Sequence, residues 1–487
     1  MKQKSLISNS VFNVAYQMLS VIFPFITAIY VSHVLMAEGV GKVAFAQNLA
    51  SYFIAIAPLG VMNYGVKEIA RTKDTPEQRN ICFSELFLIN FVSTIIATSV
   101  FYTMIFCQSS FENERMLYAV CGIPIFLNII NVDWFYRGVE EYAYITVRSL
   151  MIKIASIVLL FLTVRTANDY IQYALITSFV GSANNIFNMF YLRKFVKFRW
   201  KGLRWKRHMK SELILACNIL MSNLYSKVDV TMLGCWKTDA ITGYYANAFK
   251  IVNIVLCICT SMTDAFLPRL SYIYFSDKKK YSTLLNQGIS IVLTIIFPAM
   301  TGLAFLAPVM VPMMFGDSFK PSVPTVMILS CLIIIKGFGN LACYQVAISS
   351  GNEKKQTIAY ISGSFINIVL NVSLIPILNQ NGAAIASVVS EFTLNAILFL
   401  QLRKISGISV NLKNLIIILA DSAIMGIVVL IILLLLGKGF LAVAAAVLSG
   451  ILVYAVVGYI IGSEGIRMII EKLVTQMKYR KMSNNER

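Results

Sequence analysis

Five basic residues, Arg148, Lys153, Lys227, Lys250 and Lys336, lie inside stretches that otherwise carry almost no charge. A charge in hydrocarbon costs about 2.5–3.5 kcal/mol on insertion scales, so it normally faces protein or water and marks a functional position. Several of the five share a helical face with hydroxyls and amides. Thr146, Ser149, Lys153, Ser156 and Thr163 recur at helical spacing, as do Gly243, Asn247, Lys250 and Ser261. Thr357, Tyr360, Ser364, Asn367 and Asn371 form a third stripe, and Asn218, Ser222, Tyr225 and Asp229 a fourth, with Lys227 pointing nearly opposite.

These residue types suit an aqueous cavity that binds a large, hydroxyl-rich anion. On that reading Lys153, Lys250, Lys336, Arg148, Lys227, Asn247, Asn367 and Asn371 are the candidate substrate-binding residues. Asp229, Asp133 and Asp264 are the candidates for coupling or gating, Asp229 foremost because it ends a polar stripe within a span. A structural reading stands beside this one. Each lysine can pair with a carboxylate of a neighbouring helix, with Asp133, Asp229, Asp264, Glu85, Glu391 and Asp421 available. Arg148, near a helix end, can snorkel to the interface, and Asp133 can pair with Arg137 one turn on.

No catalytic constellation is present in the sequence. It holds two histidines, His33 and His208, and nine cysteines without metal-ligand spacing; Cys257-Ile-Cys259 is one residue short of CxxC. No phosphate-binding glycine loop occurs, so direct use of ATP is not expected. The expectation is a protein that is not an enzyme and has no metal or resident cofactor, drawing any energy from an ion or proton gradient.

The elements that position these residues follow from composition. The chain is 58% hydrophobic and 13% charged, where soluble proteins are about 45–50% and about 25%, so lipid is its solvent. Spanning helices need about 20 apolar residues. Cutting the 487 residues at polar clusters predicts fourteen, at 10–35, 42–66, 83–107, 115–136, 143–164, 170–192, 212–235, 241–267, 284–309, 322–346, 357–378, 382–402, 414–436 and 440–462. The first follows Lys2 and Lys4 and reads as a span, not a cleaved leader.

The net charge of +19 is mostly topological. With the N-terminus inside, 31 of the 42 Lys and Arg fall in cytoplasmic segments and 6 in outer ones, which places both termini in the cytoplasm. The five within spans are the remainder.

An internal repeat divides the chain. Gly41-x-x-Ala44-x-Ala46 matches Gly243-x-x-Ala246-x-Ala248, and Val92-x-Thr94-Ile95-Ile96 matches Val292-x-Thr294-Ile295-Ile296, at offsets of 202 and 200. The predicted architecture is all-α and integral to the membrane: two six-helix lobes in parallel pseudo-repeat around a central cationic cavity, plus two C-terminal helices. Its parts are an N-lobe at 1–193, a linker at 194–210, a C-lobe at 211–405, two further spans within 406–463, and a cytoplasmic tail at 464–487. The linker has eight basic residues, no acidic one, and Trp200 and Trp205, a composition suited to anionic headgroups.

Three motifs carry a family resemblance. The first is Gly39-Val40-Gly41-Lys42-Val43-Ala44-Phe45-Ala46-Gln47 followed by Tyr64-Gly65-Val66-Lys67-Glu68-Ile69-Ala70. The others are Asp133-Trp134-Phe135-Tyr136-Arg137-Gly138-Val139-Glu140 and Leu267-Pro268-Arg269. Together they resemble the O-antigen flippases of Wzx type, in the multidrug/oligosaccharidyl-lipid/polysaccharide exporter superfamily. Lys67 stands where that family more often has Arg.

The resemblance implies transfer of an undecaprenyl-diphosphate-linked oligosaccharide from the inner to the outer leaflet of the bacterial cytoplasmic membrane. It would serve O-antigen, capsule or exopolysaccharide assembly, with polysaccharide polymerase machinery and anionic lipids as partners and no nucleic acid. Two rivals stand: a multidrug or small-cation exporter of the same superfamily, whose cavity should be acidic and aromatic, and a non-transporting membrane partner of polysaccharide assembly.

Overall fold

The computed structural model describes residues 6–200, 202–264, 266–409 and 411–471, with side chains from residue 23 onward. Lys2, Lys4, Lys201 and the tail beyond residue 471, all counted in the topology argument, lie outside the described residues. Every regular element among the described residues is helical. The first nine are α1 (Leu6–Ile56), α2 (Val61–Thr72), α3 (Pro76–Cys107), α4 (Arg115–Leu127), α5 (Asp133–Gly138), α6 (Tyr142–Thr163), α7 (Tyr170–Leu192), α8 (Lys206–Trp236) and α9 (Asp239–Asp264). Then follow α10 (Leu267–Tyr274), α11 (Lys278–Phe315), α12 (Ser322–Gly339), α13 (Val346–Ser349), α14 (Glu353–Ser406), α15 (Leu412–Leu436) and α16 (Phe440–Ile461).

All fourteen predicted spans fall on helix, but two pairs of them are fused. Helix α14 has 54 residues, about 80 Å at 1.5 Å per residue, against a hydrocarbon core of about 30 Å. It reverses at Asn379, whose φ of 52° and ψ of −132° are not helical. Asn tolerates positive φ better than most residues. Helix α1 bends in the same way at Met36, φ 58°. Both breaks fall in the gaps between predicted spans. Nine stretches among the described residues are long and apolar enough to cross a membrane, and those containing α1 and α14 are each long enough for two passes. The chain is a multi-pass membrane protein. Large apolar side chains stay uncovered on its outer surface, Leu434, Leu441 and Ile460 among them, as a lipid-facing surface requires.

Two predicted spans are shorter than expected. The second does not run to residue 66: helix α1 stops at Ile56, and Leu59 and Gly60 take positive φ after Pro58, so α2 starts as a separate amphipathic helix. The fourth ends at Leu127 instead of 136. Asn128 there turns its amide onto Asn90 Oδ1 (3.0 Å) and Thr94 Oγ1 (2.9 Å) of α3, and the residues from Asp133 form the separate helix α5.

The chain packs as two compact units, Met1–Gly243 and Tyr244–Arg487, divided within the first turns of α9. In the first unit, α1 packs on α4, α6, α7 and α8. A Cβ on Gly41 would overlap the Asp239 carbonyl, and one on Gly243 the Ala37 carbonyl, so these paired glycines of the repeat allow a close backbone approach. In the second unit, α11 packs on α12 and α15, α12 on α14, and α15 on α16. Asp277 caps α11 by accepting from the Lys280 N–H, and Asn411 caps α15 by accepting from the Lys413 N–H.

Candidate functional site: a polar cavity in the second unit

Helix α12 ends at Gly339 and continues as a π-helical segment, Asn340–Gln345. Such wide turns are rare and cluster at functional sites. Here the segment is fixed to α9 by side chains: Asn340 Nδ2 donates to Thr263 Oγ1 (2.6 Å) and Asp264 Oδ1 (3.0 Å), and Gln345 Nε2 to the Thr263 carbonyl (2.7 Å). Gly339 has no room for a Cβ because Asn395 of α14 lies against it.

These elements enclose a half-open cavity of about 400 Å³, within the range of small-ligand sites. Thr260 and Asp264 come from α9, Lys336, Asn340 and Tyr344 from α12 and its π segment, and Gln356, Tyr360, Glu391 and Asn395 from α14. Lys336 Nζ lies 3.3 Å from Glu391 Oε2. Asn395 Nδ2 donates to the Glu391 carbonyl (2.9 Å) and to its Oε1 (3.3 Å). Carboxylates, amides and phenols around one matched ammonium can hydrogen-bond several hydroxyls of a bound molecule while ring faces cover its C–H surface.

Of the eleven residues singled out from sequence, the structure gathers Lys336 and Asp264 at this cavity. Lys336 follows the structural reading, with Glu391 as its partner. Lys250 lies on α9, where Nζ donates to Asn247 Oδ1 one turn away (3.2 Å). Asn367 and Asn371 are buried: Asn367 donates to Ser390 Oγ (3.3 Å) across the α14 hairpin, and Asn371 donates to Asn367 Oδ1 (3.1 Å).

In the first unit Arg148 is 4% exposed, buried where sequence reasoning allowed snorkelling. It donates to Asp133 Oδ1 (3.0 Å) and Asn184 Oδ1 (2.9 Å), and its guanidinium lies 5.2 Å from the centre of the Tyr144 ring. Asn188 Nδ2 donates to the same Asp133 oxygen (2.5 Å). The Asp133 carboxylate is thus held by Arg148 and Asn188 of neighbouring helices, where Arg137 had been a candidate. The polar stripe of α6 turns in part onto α7, since Ser149 donates to Asn184 Oδ1 (3.3 Å). Lys153 stands 5.8 Å from the centre of the Phe23 ring. Asp229 is buried in α8, and Lys227 half-buried, its carbonyl accepting from Asn48 (3.3 Å).

Two arrangements in this unit were not foreseen. Trp134, Phe135 and Tyr136 sit at the centre of an aromatic core with Phe83, Phe195 and Phe198. Gly65 leaves space for Trp134, since a Cβ there would stand 2.5 Å from the indole, and Gly138 lies against Ile69. The first and second family motifs therefore pack on one another.

The basic linker is also anchored to protein. Phe198 packs on Phe83 and Phe87, and the Arg199 N–H donates to Ser84 Oγ (3.0 Å). Beyond it Glu85, 1% exposed, accepts from the Arg204 N–H (2.6 Å) and from Arg207 Nη2 (2.5 Å). His208 Nε2 lies 3.0 Å from Glu85 Oε2 and Nδ1 3.0 Å from the Tyr64 hydroxyl. A glutamate in an apolar run followed by a distant Arg-His pair was the available signal, and spacing alone could not join them. Arg79, in the first turn of α3, donates to the Phe195 carbonyl (2.7 Å).

Long broken helices with an apolar outer surface and a half-open polar cavity define the class: a multi-helix membrane protein. A family model described as "Polysaccharide biosynthesis protein" matches residues 6–274, more than half of the chain, and the chain belongs to that family. A second model, for the lipid II flippase MurJ, matches residues 237–454. The chain is 23% identical over 407 residues to a protein of Escherichia coli (strain K12) named as an O-antigen transporter, covering 82% of this chain and 97% of that one. Its fold is similar to that of the lipid II flippase MurJ in an inward closed conformation, with a TM-score of 0.68 at 16% identity, over 94% of this chain and 99% of the other. It is also similar to an inward-facing multidrug resistance MATE family transporter of the MOP superfamily, with a TM-score of 0.63 at 17% identity, over 82% and 98%. This is the superfamily that the three motifs resemble.

Proposed function

We propose that the chain is a flippase that moves an undecaprenyl-diphosphate-linked oligosaccharide from the inner to the outer leaflet of a bacterial cytoplasmic membrane, for O-antigen, capsule or exopolysaccharide assembly. The observation that carries this reading is the cavity built by Asp264, Lys336, Asn340, Tyr360, Glu391 and Asn395 inside a membrane-embedded unit, in a chain whose family is that of polysaccharide biosynthesis proteins. Amides and carboxylates there suit sugar hydroxyls, and Lys153 and Lys250 suit the diphosphate.

In this reading both termini are cytoplasmic and the two helical units alternate access to the cavity. Asp229 takes or releases the coupling cation, so an ion or proton gradient is the energy source and no cofactor resides in the protein. Trp200 and Trp205 of the docked linker rest on anionic headgroups, and a polysaccharide polymerase consumes the product.

The test is complementation of a flippase-deficient strain, scored as lipid-linked oligosaccharide reaching the outer leaflet. Asn340→Leu combined with Asn395→Leu should cut transfer roughly tenfold or more, since an unpaired hydrogen-bonding group costs about 1–3 kcal/mol. Normal transfer by both Lys153→Ala and Lys250→Ala would refute the cationic part of the mechanism.

A second reading draws on the same cavity. Asp264 and Glu391 with Tyr344 and Tyr360 are the acidic and aromatic lining expected of a small-cation exporter. Efflux of a lipophilic cation by the purified protein in vesicles, without transfer of lipid-linked sugar, would favour it.

A further inference from the structure

We propose that the cavity of the second unit selects glycans that are uncharged or carry an amino group, and excludes acidic sugars; this deepens the flippase reading and rests on it. Among the described residues lining the cavity the only cation is Lys336, and it already stands 3.3 Å from Glu391. Asp264 accepts from a neutral amide, Asn340 (3.0 Å), and no cation of the lining answers it. The lining therefore carries one excess negative charge.

A uronic acid entering here would place its carboxylate beside two others. The alternative is to draw Lys336 away from Glu391, which Asn395 holds in place (3.3 Å). Either outcome is unfavourable, and like-charge contacts of this kind are how binding sites suppress wrong partners. An uncharged ring meets no such opposition: its hydroxyls can donate to Asp264 and Glu391 and accept from the amides, with Tyr344 and Tyr360 beside its C–H faces. An amino sugar adds an ammonium where the excess negative charge lies.

The position of Lys250, the cation of α9, agrees. Lys250 lies fourteen residues before Asp264 on α9, roughly 21 Å along the axis. Any phosphate that it meets is therefore read well away from the sugar.

The test uses the full chain in a strain lacking its own flippase, supplied in turn with enzymes for a neutral repeat unit and for one in which a single hexose is replaced by a uronic acid. The readout is the ratio of the two repeats reaching the outer leaflet, at equal levels of protein in the membrane. The wild-type chain should transfer the neutral repeat at least about tenfold better. Glu391→Gln, which frees Lys336, should shift the ratio toward the acidic repeat by about tenfold. Asp264→Asn, an exposed position on which folding depends little, should shift it the same way by a smaller factor. Equal transfer of both repeats by the wild type, or an unchanged ratio in both variants, overturns the selectivity while leaving the flippase reading standing. Transfer of neither repeat by protein that reaches the membrane overturns the flippase reading, and the selectivity with it.

Discussion

Replacing Asp133 with Asn keeps the shape of the side chain and removes the charge that Arg148 meets. The two side chains are 13% and 4% exposed, so the guanidinium would keep Asn184 and the Tyr144 ring but lose its counter-charge. Breaking a buried pair on one side costs about 3–5 kcal/mol. With about 2–4 °C per kcal/mol for a unit of 150–250 residues, D133N should lower the thermal unfolding midpoint in detergent by ~6–20 °C. R148M should do comparable damage, because it leaves the carboxylate with Asn188 as its partner. The double variant D133N/R148M removes both charges, so its loss should fall short of the sum by about 1–3 kcal/mol. Intrinsic-fluorescence melting of the three variants measures this. A shift below about 2 °C for D133N, or strict additivity in the double variant, would refute the pairing argument. Undisturbed stability with lost transfer would return Asp133 to the coupling role that its position in the sequence suggests.

Two further outcomes follow from the first unit. Gly65→Ala pushes a methyl into the Trp134 indole, 2.5 Å away, and should cost about 1–3 kcal/mol as overpacking does. Trp134→Phe, which trims the ring at that point, should relieve part of it, and an unchanged melting midpoint in G65A would sink the idea that the two motifs are packed together. Glu85→Ala removes the acceptor shared by Arg204, Arg207 and His208. Charge-assisted hydrogen bonds contribute about 1.5–3 kcal/mol, so trypsin cleavage within the linker should accelerate roughly tenfold or more; equal cleavage in wild type and variant would show that Glu85 does not hold it.

The sequence determined the solvent, the apolar runs and the two positions where long helices break. Lipid demands runs of about 20 apolar residues whatever their neighbours, and the breaks at Met36 and Asn379 fall where the hydropathy pattern left gaps. It also singled out the charged positions, because an ionisable residue in an apolar run is costly in any fold. It did not decide what those charges meet. Helical periodicity fixes which residues share a face, but the partner of that face lies on another helix tens to more than a hundred residues away. Lys336 with Glu391, Arg148 with Asp133, and Glu85 with Arg207 and His208 are products of packing. So is the division of labour within the family motifs: their aromatic residues read as a signature along the chain, and only tertiary structure turns them into a core around Trp134. The polar cavity arises the same way, because a π-helical segment and a glycine facing Asn395 enclose it only when three helices converge on them.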